Sequence, residues 1–136
     1  SFLKLKPFII DWIADVSARA RRLGKTLLAF SHYPVLDPFD GATGAEGVLF
    51  GETNIARRTP RNEVAQALID AGMTLHFSGH LHVEGVTRRG SGDNVLTNVA
   101  VPSLVAFPPA FKLVEPSASA LGLNTTPTFT LCGDGK

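Results

Sequence analysis

Met73-Thr74-Leu75-His76-Phe77-Ser78-Gly79-His80-Leu81-His82 decides the fold class of this 136-residue chain. Met73 to Phe77 follows Gly72 as a short, mostly apolar run, the pattern of a strand buried within a sheet. It leads without a break into a His-x-His pair. A similar junction stands upstream. Thr26-Leu27-Leu28-Ala29-Phe30 reads as a strand buried on both faces, and Ser31-His32-Tyr33-Pro34 follows it directly. Between the two, Val64, Ala67, Leu68 and Ala71 recur at helical spacing and stop at Gly72, while Thr59-Pro60 offers an N-cap and a first-turn proline. Strand, helix, strand predicts an α/β domain. Ligands in such sheets sit beyond the carboxyl ends of the strands, where both histidine-bearing segments fall.

Working outward, Ile9, Trp12, Ile13, Val16, Ala20 and Leu23 give a helix over about Leu5–Leu23 one buried face, and Gly24 stands where a left-handed cap is expected. Tyr33 to Thr59 has no period and is rich in Gly, Pro and Asp, as an active-site loop is. A short helix near Asn54–Arg57 fits inside it. Val83–Thr87 and Val95–Val99 read as a hairpin around Arg89–Asp93, and Val101–Phe107 continues the sheet, broken at Pro102. After Val114 the composition turns to Ser, Pro, Thr and Gly. Residues 1–112 therefore read as the domain, and 113–136 as an extension or edge strand.

Composition excludes several classes. With 44% hydrophobic and 18% charged residues and a formal charge of +1, the chain is an ordinary globular domain with no field to attract nucleic acid. Arg19, Arg21 and Arg22 form one cluster and Arg57, Arg58 and Arg61 another; both read as solvated ends, the second also placed to meet an anionic substrate. One cysteine, Cys132, rules out an internal disulfide. No run is long enough to span a bilayer. A soluble protein is expected, cytoplasmic in preference to periplasmic. The start at Ser1, without an initiator methionine and leading directly into what reads as a helix, suggests a longer protein.

Of the four histidines, a lone one at a strand end is ordinarily structural. Three near strand ends are a different matter, because imidazole is a common ligand for zinc, iron and manganese. Gly79 is expected to let the backbone turn and aim His80 and His82 inward. Pro34 stiffens the loop that leaves His32. His76, inside the strand, is expected to orient a ligand rather than be one.

Phe30-Ser31-His32-Tyr33-Pro34 resembles the strand-end histidine motif of calcineurin-like metallophosphoesterases, and Ser78-Gly79-His80-Leu81-His82 resembles their Gly-His-x-His motif. Asn98-Val99-Ala100-Val101-Pro102-Ser103 is similar to the following strand of phosphodiesterase-type members. The resemblance spans about Trp12 to Phe107. It implies a partial metallophosphoesterase sandwich, a mixed β-sheet with flanking helices. It also implies a dinuclear centre of Mn, Fe or Zn in which His32 and His80 bind one ion and His82 the other. The family's Asp-x-His, Gly-Asp-x-x-Asp and Gly-Asn-His motifs do not occur in these 136 residues. This chain would then supply only part of the site, and the missing N-terminal half of the domain the rest.

The implied function is metal-dependent hydrolysis of phosphate esters, phosphodiesters ahead of monoesters, on a phosphorylated small molecule. Arg57 or Arg58 is a candidate for holding its phosphate, and Asp37–Gly51 for the rim that selects its leaving group; no catalytic acid or base is assigned. A face left without its other half would be apolar and would favour homo-oligomers. The alternatives are a metallophosphoesterase-like scaffold that has lost its metals and binds proteins, and an α/β domain with no metal at all. Metallo-β-lactamases, zinc fingers and deaminases fit less well, for want of an Asp-His after the pair or of partner cysteines.

Overall fold

The computed structural model describes residues 5–38, 62–105, 109–113 and 128–131. Helix α1 (Pro7–Arg22) opens with its proline in the first turn and ends at Leu23, after which Gly24 adopts φ +60°. The left-handed glycine ends the helix as its sequence predicted. Arg19, Arg21 and Arg22 lie exposed in the last turn, where cations offset the negative end of the helix.

The buried stripe of α1 differs from the expected one. Ile9, Ile10, Ile13, Ala14 and Ser17 face inward, whereas Trp12 is 62% exposed and Leu23 58%. The helix carries more apolar side chains than one stripe can bury. Periodicity alone does not say which of two overlapping stripes meets the core. Phe8, one turn before Trp12, is likewise 61% exposed.

Strand β1 (Ala29–Ser31), helix α2 (Asn62–Asp70) and strand β2 (Leu75–Ser78) follow, then a hairpin of β3 (Gly85–Ser91) and β4 (Asn94–Ala100). These strands form one mixed sheet in the order β1-β2-β4-β3, with β1, β2 and β4 parallel and β3 antiparallel. β1 and β2 are neighbours joined across α2, the parallel crossover that the strand-helix-strand pattern predicted. Ser91 pairs with Asn94 across the two-residue loop Gly92-Asp93. Gly92 has φ +58° and Asp93 is not left-handed. A glycine first in such a loop fits a type II′ turn, whose twist matches the flanking strands. Strands β5 (Ala110–Leu113) and β6 (Thr128–Leu131) form a separate antiparallel pair. The described residues thus form a mixed α/β fold, a four-stranded mixed sheet with two helices.

Side chains alternate across the sheet. One face, carrying Ala29 and Leu96, packs on Ile13 of α1, on Ala65, Leu68 and Ile69 of α2, and on Leu36. Leu68 and Ala71 of the predicted α2 stripe are buried; Ala65 and Ile69 join them, while Val64 and Ala67 are only half-buried. The opposite face carries Leu75, Phe77, Val99 and Val101, with Phe30 stacked on Phe77 at 5.1 Å between ring centres. β1 was expected to be buried on both faces. Among the described residues it is instead at the edge of the sheet, with Phe30 71% and Leu28 47% exposed. An apolar run records what a strand can bury, not what is there to bury it. Thr59-Pro60, Arg57, Arg58 and most of the long loop lie outside the described residues.

Candidate functional site

The site is built on the carboxyl ends of β1 and β2. The parallel register sets Ser31 beside Ser78, and Gly79 N–H donates to the His32 carbonyl at 3.1 Å. The two strand ends therefore leave the sheet together. Beyond them His80 Nδ1 and His32 Nε2 stand 2.9 Å apart. Tyr33 packs on both rings, its centre 4.2 Å from that of His80 and 5.1 Å from that of His32. The sequence brings together two imidazoles that are 48 residues apart in the chain.

Gly79 does not do what its position suggested. It is not left-handed, and a Cβ added there would meet only the His32 carbonyl oxygen at 4.0 Å. The turn is made by the histidines themselves, His80 with φ 66° and His82 with φ 55°. Each such conformation costs an L-residue about 1–2 kcal/mol, and strain of this kind concentrates at functional sites. The residue between them shows what offsets the cost. Leu81 is 2% exposed, and burying a leucine contributes roughly 1.5–3 kcal/mol. The Leu81 N–H also donates to the Gly79 carbonyl at 2.8 Å. A buried leucine thus pins a strained loop that presents a histidine on either side.

Below the pair lies a chain of buried polar groups. His76 (2% exposed) and Asn98 (0%) sit in the sheet, joined from His76 Nδ1 to Asn98 Oδ1 at 2.7 Å. The same Oδ1 accepts from the backbone N–H of Val35 at 3.1 Å, and Asn98 Nδ2 donates to Ser78 Oγ at 3.3 Å. His76 Nε2 lies 2.9 Å from Ser31 Oγ, which is also 2.7 Å from the Tyr33 carbonyl. One amide therefore touches both histidine-bearing segments, through Val35 on one side and Ser78 on the other. Burial lowers the His76 pKa, against an opposing rise from the Asn98 bond. A neutral imidazole at pH 7 follows.

Two nitrogens 2.9 Å apart fit two situations. Without a metal, one ring donates its N–H to the other. With one, both offer lone pairs: metal–nitrogen bonds of about 2.0–2.1 Å place two ligand atoms roughly 2.9 Å apart at a right angle and roughly 3.3 Å at the tetrahedral angle. The pair fits two positions of one coordination sphere. His82 is exposed, and among the described residues no third His, Cys, Asp or Glu gathers with His32 and His80 into a metal-holding group. A complete centre would need ligands beyond these.

On the second face of the sheet an apolar cavity of about 670 Å³ reaches up to Ser31, Ser78 and Gly79, next to the histidines. Lys112 lines it, its Nζ 3.4 Å from the Ala100 carbonyl and its pKa lowered by burial against the favourable charge of Glu84. Of the histidines that the sequence singles out, His32 and His80 meet at the strand ends and His76 lies buried in β2, while Asn98, Ser31 and Tyr33 had no expected role. Their signal was position: each lies within the quoted motifs or at a strand partner of one. No helix among the described residues is long and apolar enough to cross a membrane. No protein-family model matches the chain, and no curated protein matches it.

Proposed function

We propose that this chain contributes to the metal-dependent hydrolysis of phosphate esters, phosphodiesters in preference to monoesters, as part of a dinuclear site. The observation that carries the reading is the approach of His32 Nε2 to His80 Nδ1 at 2.9 Å, on loops leaving the carboxyl ends of adjacent parallel strands. His32 and His80 hold one ion and His82 contributes to the second. Two divalent ions, when bound, lower the pKa of a water from about 15.7 towards 7 and clamp the oxygens of the displaced ester. Neutral imidazole ligands add no negative charge, so the site stays attractive to a phosphate anion. The sequence holds no carboxylate in the expected motifs, so this chain alone binds metal weakly and turns over little.

The sheet's second face supports the same reading. Leu28 and Phe30 on that face stay exposed beside the apolar cavity they help to line. Exposed apolar surface of this kind ordinarily packs on more protein, and the remainder of the domain is its proposed cover. A scaffold without metals would also use such a surface, but would have no need of the strained His80-Leu81-His82 turn. The test is hydrolysis of a bis-aryl phosphate with Mn²⁺ by the protein as its gene encodes it. Metal-dependent turnover is expected, and His82→Ala is expected to lose metal and activity while staying folded. Undiminished hydrolysis by that variant would overturn the assignment.

A further inference from the structure

We propose that His76 is a positioning residue: locked as the Nδ1–H tautomer by Asn98, it turns its bare Nε2 to the Ser31 hydroxyl and fixes the loop carrying His32. Donors and acceptors fix the tautomer. The backbone N–H of Val35 can only donate, so the Asn98 atom it meets at 3.1 Å must be the carbonyl oxygen. That orientation also places Asn98 Nδ2 on Ser78 Oγ. Flipping the amide would set its NH₂ against the Val35 N–H. The oxygen facing Val35 is the one 2.7 Å from His76 Nδ1. It has no proton to give, so Nδ1 carries the hydrogen.

The Ser31 hydroxyl has one hydrogen and two acceptors within reach, His76 Nε2 at 2.9 Å and the Tyr33 carbonyl at 2.7 Å. Donation to Tyr33 alone would leave lone pairs of Oγ and Nε2 facing each other at a part-buried contact beside the buried His76 ring. Donation to Nε2 leaves the Tyr33 carbonyl on the exposed side of Ser31, where water can serve it. With a neutral imidazole the second arrangement wins. Ser31 is the last residue of β1 and immediately precedes His32. The hydrogen bond thus ties the first residue of the turn to the sheet interior, while Asn98 holds its far side at Val35. His32 is suspended between two anchors that share one buried histidine–asparagine pair.

The proposal refines how the His32–His80 pair is held, and its consequence for hydrolysis rests on the function proposed above. Its test needs neither metal nor substrate, so the two can fail separately. Long-range ¹H–¹⁵N correlation of the imidazole rings near neutral pH should show His76 Nδ1 protonated and Nε2 bare. The opposite tautomer would overturn the inference. In Ser31→Ala, the Val35 amide, which donates to Asn98, should exchange about tenfold faster, the factor one ordinary hydrogen bond represents. The amides of β4 should be unchanged, and Ser31→Thr should restore protection. Equal acceleration throughout the sheet, or none at the turn, would show that the hydroxyl has no positioning role.

Discussion

Asn98→Leu is expected to lose about 3 kcal/mol of folding stability, the largest loss of any single substitution in the site. Leucine keeps the branching at Cγ but is larger, so at a residue with 0% exposure part of the loss is overpacking. The rest comes from two donors left without a partner, the Val35 N–H and His76 Nδ1–H. Each buried orphan costs about 1–3 kcal/mol. Ser78 also loses the Asn98 amide, but a hydroxyl can rotate to find another acceptor. For a domain of this size, about 3 kcal/mol corresponds to a fall in Tm of roughly 10–20 °C. Thermal and urea unfolding measure it; a loss below about 1 kcal/mol would mean that the amide is not the hub the distances describe.

The second large effect is on activity. On the function proposed above, His80→Asn is expected to lower metal-dependent hydrolysis by about a hundredfold or more, with the fold retained. Asparagine is chosen because it tolerates the left-handed backbone that His80 adopts at φ 66°. The substitution therefore removes the imidazole while adding little strain, which alanine would not achieve. A lost ligand removes transition-state stabilisation of several kcal/mol where an ion acts as a Lewis acid, and even residues that only orient ligands are worth about 10–100-fold. Steady-state kinetics in excess Mn²⁺, with circular dichroism as the check on folding, reads the outcome. Activity within a few-fold of the parent would remove His80 from the site.

Much of this arrangement is legible in the chain. The helix end at Gly24, the hairpin around Gly92 and the strand that runs into His80 follow from period and turn chemistry, which are local. The placement of both histidine segments at the carboxyl ends of β1 and β2 follows from the α/β pattern. What was not legible depends on partners distant in sequence. Phe30 lies in a run that looks doubly buried, and its exposure depends on what packs over β1. Trp12 and Ile13 are equally apolar, yet only the neighbouring α2 decides that Ile13 turns inward. Glycine is the usual residue for positive φ, so Gly79 drew the expectation that His80 and His82 fulfil. Asn98 is an unremarkable polar residue in a strand until Val35, His76 and Ser78 converge on it.

The proposed metal site depends on two imidazoles, each offering one named nitrogen to a single ion. Titration of ¹⁵N-labelled protein with Zn²⁺ reads this directly from the ring resonances. His32 Nε2 and His80 Nδ1 should shift together, in a single weak binding event of one ion per chain. A response at only one of the two rings, or through His80 Nε2 in place of Nδ1, would contradict it.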